Sequence, residues 1–138
     1  MNLFDAMTRF DGQIGAGTMW IGTLILYAVM MLIAGQWTRW RMFTDETFGA
    51  TPKDQSELAN VSALATLITF YPSMALIANR VNMIDPGLAW MWQIAYPAIA
   101  IGSVIAQYRG HMGTPQKPSL TWYFFLLLYV ALLLRLTF

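Results

Sequence analysis

Charged positions divide the chain into four apolar stretches, 12–38, 58–79, 86–108 and 118–134, none of which contains Asp, Glu, Lys or Arg. Their lengths of 27, 22, 23 and 17 residues bracket the roughly 20 helical residues that a hydrocarbon layer about 30 Å thick requires at about 1.5 Å per residue. The last stretch is the shortest, but its core, WYFFLLLYVALLL, is dense enough in Leu and Phe to insert. The pattern predicts an all-α, polytopic membrane protein with four transmembrane helices in an antiparallel bundle. The expected spans are 18–38, 58–79, 86–108 and 119–135, in one membrane domain over 1–138 with an extramembrane loop at 39–57.

Composition agrees with the pattern. Of the 138 residues, 57% are hydrophobic and 11% charged, and the mean hydropathy is +0.50, outside the usual range of a water-soluble domain. A soluble four-helix core is disfavoured on area, because a chain this small has too little polar surface to cover so much apolar material. The opening, MNLFDAMTRFDG, carries Asp5 and Asp11 and lacks the basic start and small-residue cleavage site of a signal peptide, so the first span is expected to be retained. There is no cysteine, which removes disulfides, thiolate metal sites and thiol nucleophiles. A formal net charge of +1 leaves no basic footprint for nucleic acid.

The tryptophans mark the same boundaries. Trp20 opens the first span, Trp37 and Trp40 follow it, Trp90 and Trp92 open the third, and Trp122 opens the fourth. At these places an indole ring lies in the apolar layer while its N–H stays wet, so all six are read as interface anchors. Helix-start chemistry adds detail. TPKD predicts Thr51 as N-cap, Pro52 at the first helical position and Asp54 three residues on, and DPGL repeats the logic with Asp85 and Pro86. The apolar members of WTRWRMF suit a short interfacial helix with Arg39 and Arg41 snorkelling, and YRGHMGTPQKP reads as a turn-rich loop.

Candidate chemistry is sparse. Tyr71-Pro72 and Tyr96-Pro97 fall deep in the second and third spans. Proline there frees a carbonyl and predicts a kink. The two phenols are expected at similar depth, about 12–15 Å from the polar seam at 80–85. Two readings compete: the pair lines a small ligand cavity, or each tyrosine satisfies a freed carbonyl. The seam contributes Arg80, Asn82 and Asp85 as candidates for lipid or ligand. Ala98, Gly102 and Ala106 recur every fourth residue and predict close helix packing. His111 is the only histidine and has no partners for a metal site. Gly12, Gly15 and Gly17 of DGQIGAG lack the strand and Lys-Ser or Lys-Thr of a phosphate loop, and are read as a turn ahead of the first span. No mid-span carboxylate or base points to ion pumping, and no metal, cofactor or catalytic residue is expected.

Two stretches resemble the domain-of-unknown-function 805 (YhaH/YhaI-like) family of small bacterial inner-membrane proteins. Phe10, Gly12, Ile14 and Trp20 match its Phe-x-Gly-Arg-Ile-x-Arg-x-x-Phe-Trp opening in spacing. Arg80 and Gly87, with Trp90 and Trp92 nearby, match its Arg-Arg-Leu-His-Asp and Ser-Gly-Trp-Trp stretches. Gln13 and Ala16 stand where the family has arginines, Asn82 where it has histidine, and Met83 where it has an acid unless Asp85 takes that place. The resemblance implies a divergent member in a bacterial inner membrane, with termini and seam on the cytoplasmic side. Counted alone, Arg9, Arg80 and Arg135 on one side against Arg39, Arg41, Lys53, Arg109 and Lys117 on the other favour external termini. The reading follows the resemblance and attributes the conflict to the missing arginines.

These readings lead to a non-enzymatic accessory or scaffolding protein, with the lipid bilayer and a larger membrane complex or homo-oligomer as its partners. A small transporter or channel using the Tyr-Pro helices is the alternative. A membrane-embedded enzyme using Arg80, Asn82 and Asp85 comes third.

Overall fold

The computed structural model describes residues 2–84, 87, 89–112 and 117–137, with residues 89, 90 and 92 described by backbone only. The described residues form α1 (Leu3–Thr8), α2 (Ala16–Met30), a π-helical turn (Met31–Gly35), α3 (Gln36–Thr44), α4 (Pro52–Ile84), α5 (Ala89–Tyr108) and α6 (Leu120–Thr137). The chain is therefore all-α. Three helical rods, Ala16–Thr44, Pro52–Ile84 and Leu120–Thr137, are long and apolar enough to cross a membrane, as in a multi-pass membrane protein. Their outward faces carry large apolar side chains, among them Leu24, Leu32, Leu67 and Leu127. That is the surface a lipid solvent demands and water penalises.

The first rod differs from expectation. A separate interfacial helix and a long loop at 39–57 are replaced by one rod of 29 residues, in which α3 continues α2 through the π turn. Residues 52–57 already belong to α4, so only 45–51 connect the two rods. The physical reason lies in that short link. The Trp37 ring packs edge-on against Phe48, which is fully buried, and the Arg41 guanidinium lies over the Phe48 ring at 4.8 Å from its centre. Arg41 also pairs with Glu57 at 3.4 Å. These contacts hold α3 against the start of α4, and Gly49, at φ +102, makes the reversal that a side chain would strain.

The expected start of α4 is present. Thr51 Oγ1 accepts the Asp54 N–H, and Pro52 is the first helical residue. Helices α4 and α5 continue through Pro72 and Pro97 respectively. The matching start of α5, with Asp85 and Pro86, lies outside the described residues.

Helix α4 is the centre of the fold and packs against α1, α2, α5 and α6. Its core residues Leu76, Ile77 and Val81 meet Ala6, Met19, Leu26, Leu132 and Leu136. Close approach of α2 to α4 occurs at Gly22, where an added Cβ would lie 2.7 Å from a Leu76 methyl and 3.4 Å from Leu3. The glycines read as a turn ahead of the first span behave differently from that expectation. Gly15 is the N-cap of α2 at φ −78, and an added Cβ at Gly15 or Gly17 would meet nothing within 4 Å. The turn at 9–14 is made by hydrogen bonds from α4, not by glycine freedom.

Candidate functional site

The polar seam at the end of α4 is a clamp on the two ends of the chain. Asn79 is fully buried. Its Nδ2 donates to the carbonyls of Ala6 (2.9 Å) and Arg9 (2.7 Å), and its Oδ1 accepts the Gly12 N–H (3.0 Å). Asn82 Nδ2 donates to the carbonyls of Phe10 (2.9 Å) and Gly12 (3.1 Å). The backbone of residues 9–14 is not helical, so its polar groups have no helix ladder to join and need partners of another kind. Two asparagines three residues apart on one helix face supply them.

Arg80 completes the arrangement. Its Nε donates to Leu136 O at 2.7 Å, while its two terminal nitrogens donate to Ile14 O (3.2 Å) and Thr137 O (3.3 Å). A guanidinium fork thus caps the last turn of α6, where unpaired carbonyls and the negative end of the helix dipole both favour a cation. Trp20, expected as an interface anchor, donates its indole N–H to Thr137 Oγ1 at 2.7 Å and so holds the end of α6. Arg80 and Asn82 of the expected lipid or ligand group are therefore engaged with backbone carbonyls. Asp85 lies outside the described residues.

The Tyr-Pro pair does not converge. Tyr71 is half-exposed, donates to Thr8 O at 2.7 Å and meets Phe10 edge-on at 5.1 Å between ring centres. Tyr96 is buried between Phe70 and Tyr129, at centroid distances of 5.8 and 6.0 Å, and hydrogen-bonds with Ser73. The phenols thus serve different neighbours because Tyr71 faces α1 and Tyr96 faces α6. Each finds a partner elsewhere than the carbonyl its proline frees.

The remaining candidates are placed as follows. Gly102 faces α6, with an added Cβ 3.2 Å from the Phe125 ring; Ala106 is buried and Ala98 exposed, so this stripe packs internally at its centre. Trp37 stacks in the first link, Trp40 is exposed, and Trp122 packs edge-on against Tyr123. The side chains of Trp90 and Trp92 lie outside the described set. His111 lies in the loop after α5, its backbone bonding Ala106 O and accepting the Ser119 hydroxyl. Among the described residues no three His, Cys, Asp or Glu side chains gather.

A groove that sequence reading did not anticipate opens between α2, α4, α5 and α6, with a volume of about 530 Å³. Ser62, Thr66 and Ser73 line it from α4, and Tyr96, Ser103 and Gln107 from α5. Their spacing of about four, seven and eleven residues puts each set on one helix face. That periodicity was the available signal, hidden because Ser and Thr are ordinary residues in membrane helices. At the far end from the clamp, Gln107 Nε2 donates to Gln55 Oε1 at 2.8 Å.

No protein-family model, curated protein or solved structure matches this chain.

Proposed function

We propose that this chain is a non-enzymatic, four-span protein of the bacterial inner membrane, an accessory or scaffolding component whose helices form an antiparallel bundle. Helix α5, 20 residues long and without a charged side chain, is the fourth span in this reading. The carrying observation is the use of the seam: the side-chain donors of Asn79, Arg80 and Asn82 all end on carbonyls of residues 6–14 and 136–137. Polar groups that would otherwise be the best candidates for chemistry serve to build a rigid body. The two stretches that carry the family resemblance also touch, through Asn82 to Phe10 and Gly12 and Arg80 to Ile14. This contact supports the reading of a divergent member; the cytoplasmic side for the clamp and both termini rests on the resemblance itself.

The test is extraction of the native protein in mild detergent, followed by a native gel and mass spectrometry of what co-migrates. A stoichiometric larger assembly is expected. Migration as a lone, ordered monomer with its own catalytic or transport activity overturns the reading.

The groove favours a second reading as a small transporter for neutral solutes. In that case proteoliposomes should pass glycerol, and Tyr96→Phe should change the flux without changing thermal stability. Unaltered flux removes this reading.

A further inference from the structure

We infer that α1 and the turn after it form a half-embedded membrane anchor: residues 3–10 lie at the hydrocarbon edge of one leaflet, with Phe4 against lipid acyl chains. The inference rests on the membrane reading and not on the accessory role.

Depth is the first observation. Two contacts fix the register of the first rod against α4: Gly22 with Leu76, and Arg41 with Glu57. They lie nineteen residues apart on each rod, about 28 Å at the ordinary helical rise and so about one hydrocarbon thickness. The Arg41–Glu57 ion pair belongs outside the hydrocarbon, which puts the opposite edge near Gly22 and Leu76. Helix α1 packs at that edge and not beyond it. An added Cβ at Gly22 would lie 3.4 Å from Leu3. Asn79 holds the carbonyls of Ala6 and Arg9, and Tyr71, five residues deeper along α4 than Leu76, holds Thr8 O.

The backbone supplies the second observation. Water can serve the carbonyls of a segment outside the membrane, but hydrocarbon cannot. The carbonyls of Asn2 and Asp5 accept the N–H groups of Ala6 and Arg9, and Phe4 O accepts the Thr8 hydroxyl. Side chains of α4 take the carbonyls of Ala6, Thr8, Arg9, Phe10, Gly12 and Ile14. The Asn2 side chain accepts the Asp5 N–H at the open start of α1. A segment bathed in water has no need of so many internal partners; one at the edge of the apolar layer does.

Side chains supply the third. Ala6 is fully buried and Met7 packs against the core, whereas Phe4, on the face opposite Ala6, is 74% exposed. Thr8 shares the Phe4 face, and its hydroxyl is already spent on Phe4 O. An apolar ring left bare at this depth gains by meeting acyl chains instead of water. The edge position also suits the charges of the segment. Arg9 and Asp11 pair with one another at 3.1 Å, and with Asp5 they are solvated by the headgroup layer that a long arginine side chain reaches easily.

The chain has no cysteine, so single-cysteine variants of the full chain report depth directly. Phe4→Cys, Asp11→Cys and Leu67→Cys are placed in nanodiscs of phosphatidylcholine and phosphatidylglycerol, whose two faces are both open to water, after melting in detergent confirms that each folds. Spin labels at the three sites are then tested for collision with oxygen and with a water-soluble nickel chelate. Oxygen should exceed the chelate at position 4, as at position 67 on the exposed face of α4, and the reverse should hold at position 11. A charged maleimide gives a second measurement. Phe4 and the Asp11 side chain are similarly exposed, at 74% and 72%, so the protein alone predicts similar labelling rates. Lipid cover should slow position 4 by about tenfold or more, because the reacting thiolate is suppressed in apolar surroundings. Chelate access at position 4 equal to that at position 11, low collision with both reagents as under a protein cover, or matched maleimide rates overturns the inference. Free chelate access at position 67 overturns the membrane reading itself, and the inference with it.

Discussion

The Asn79 amide nitrogen lies 2.9 Å from the carbonyl oxygen of Ala6, 73 residues earlier in the chain. With its contacts to Arg9 and Gly12 it places two donors and one acceptor on backbone groups of the amino-terminal segment. A single buried side chain therefore sets the path by which the chain enters its first long helix.

Asn79→Ala should strand these backbone groups, at about 1–3 kcal/mol for each one left unpaired in a buried place. Asn79→Asp should be at least as harmful, because its carboxylate faces two carbonyl oxygens in place of donating to them. Thermal unfolding in detergent and limited proteolysis report the change, with new cleavage expected within residues 1–14. Full protection of that segment in both variants would remove the clamp.

Arg80 tests the other half of the clamp. Arg80→Lys keeps the charge but cannot reach three carbonyls in the planar fork that Leu136, Ile14 and Thr137 require. We expect Arg80→Lys and Arg80→Met both to lower stability by about 1–3 kcal/mol and to speed amide exchange in the last turn of α6. The natural chain has no cysteine, so a single Leu136→Cys reports the same loosening by its rate of maleimide labelling. An unchanged rate in Arg80→Met argues against capping.

Gly22 packs against Leu76, which is almost fully buried. Gly22→Ala meets the ends of the Leu76 side chain, which can shift, and reaches Leu3 at ordinary contact distance. Gly22→Ile has no such relief and should cost about 1–3 kcal/mol by overpacking. The order of melting temperatures should be wild type, then alanine, then isoleucine, and Leu76→Ala should partly rescue the isoleucine variant.

Asp54 gives a pH signature ahead of the apolar stretch that begins at Leu58. Burial would push its carboxyl up, but hydrogen bonds from Gly49 and Thr51 and the charge of Arg41 outweigh burial and hold it below its ordinary value of 3.8. A lowered folded value means the group contributes stability above the unfolded value, and that contribution is lost as pH falls through the folded one. Asp54→Asn should therefore be less stable than wild type at neutral pH, and the gap should close only below about pH 4. A gap that does not vary with pH would assign the effect to the side chain's shape.

The uncharged stretches and the Thr51-Pro52 start were legible in the sequence because each depends on solvent preference or on contacts within a few residues. By itself the sequence determined an all-helical chain with helices long and apolar enough for a membrane, and the positions where polar side chains interrupt them. Only the tertiary structure decided what those side chains do. Asn79, at the edge of an apolar run, carries no local sign that it will bond residues 6, 9 and 12. Arg80 looks free until α6 ends beside it. Tyr71 and Tyr96 share a motif yet face different helices, and the groove exists only because four helices leave room between them. Hydropathy and capping are local quantities, whereas the pairing of a buried polar group depends on which distant backbone the fold brings within about 3 Å.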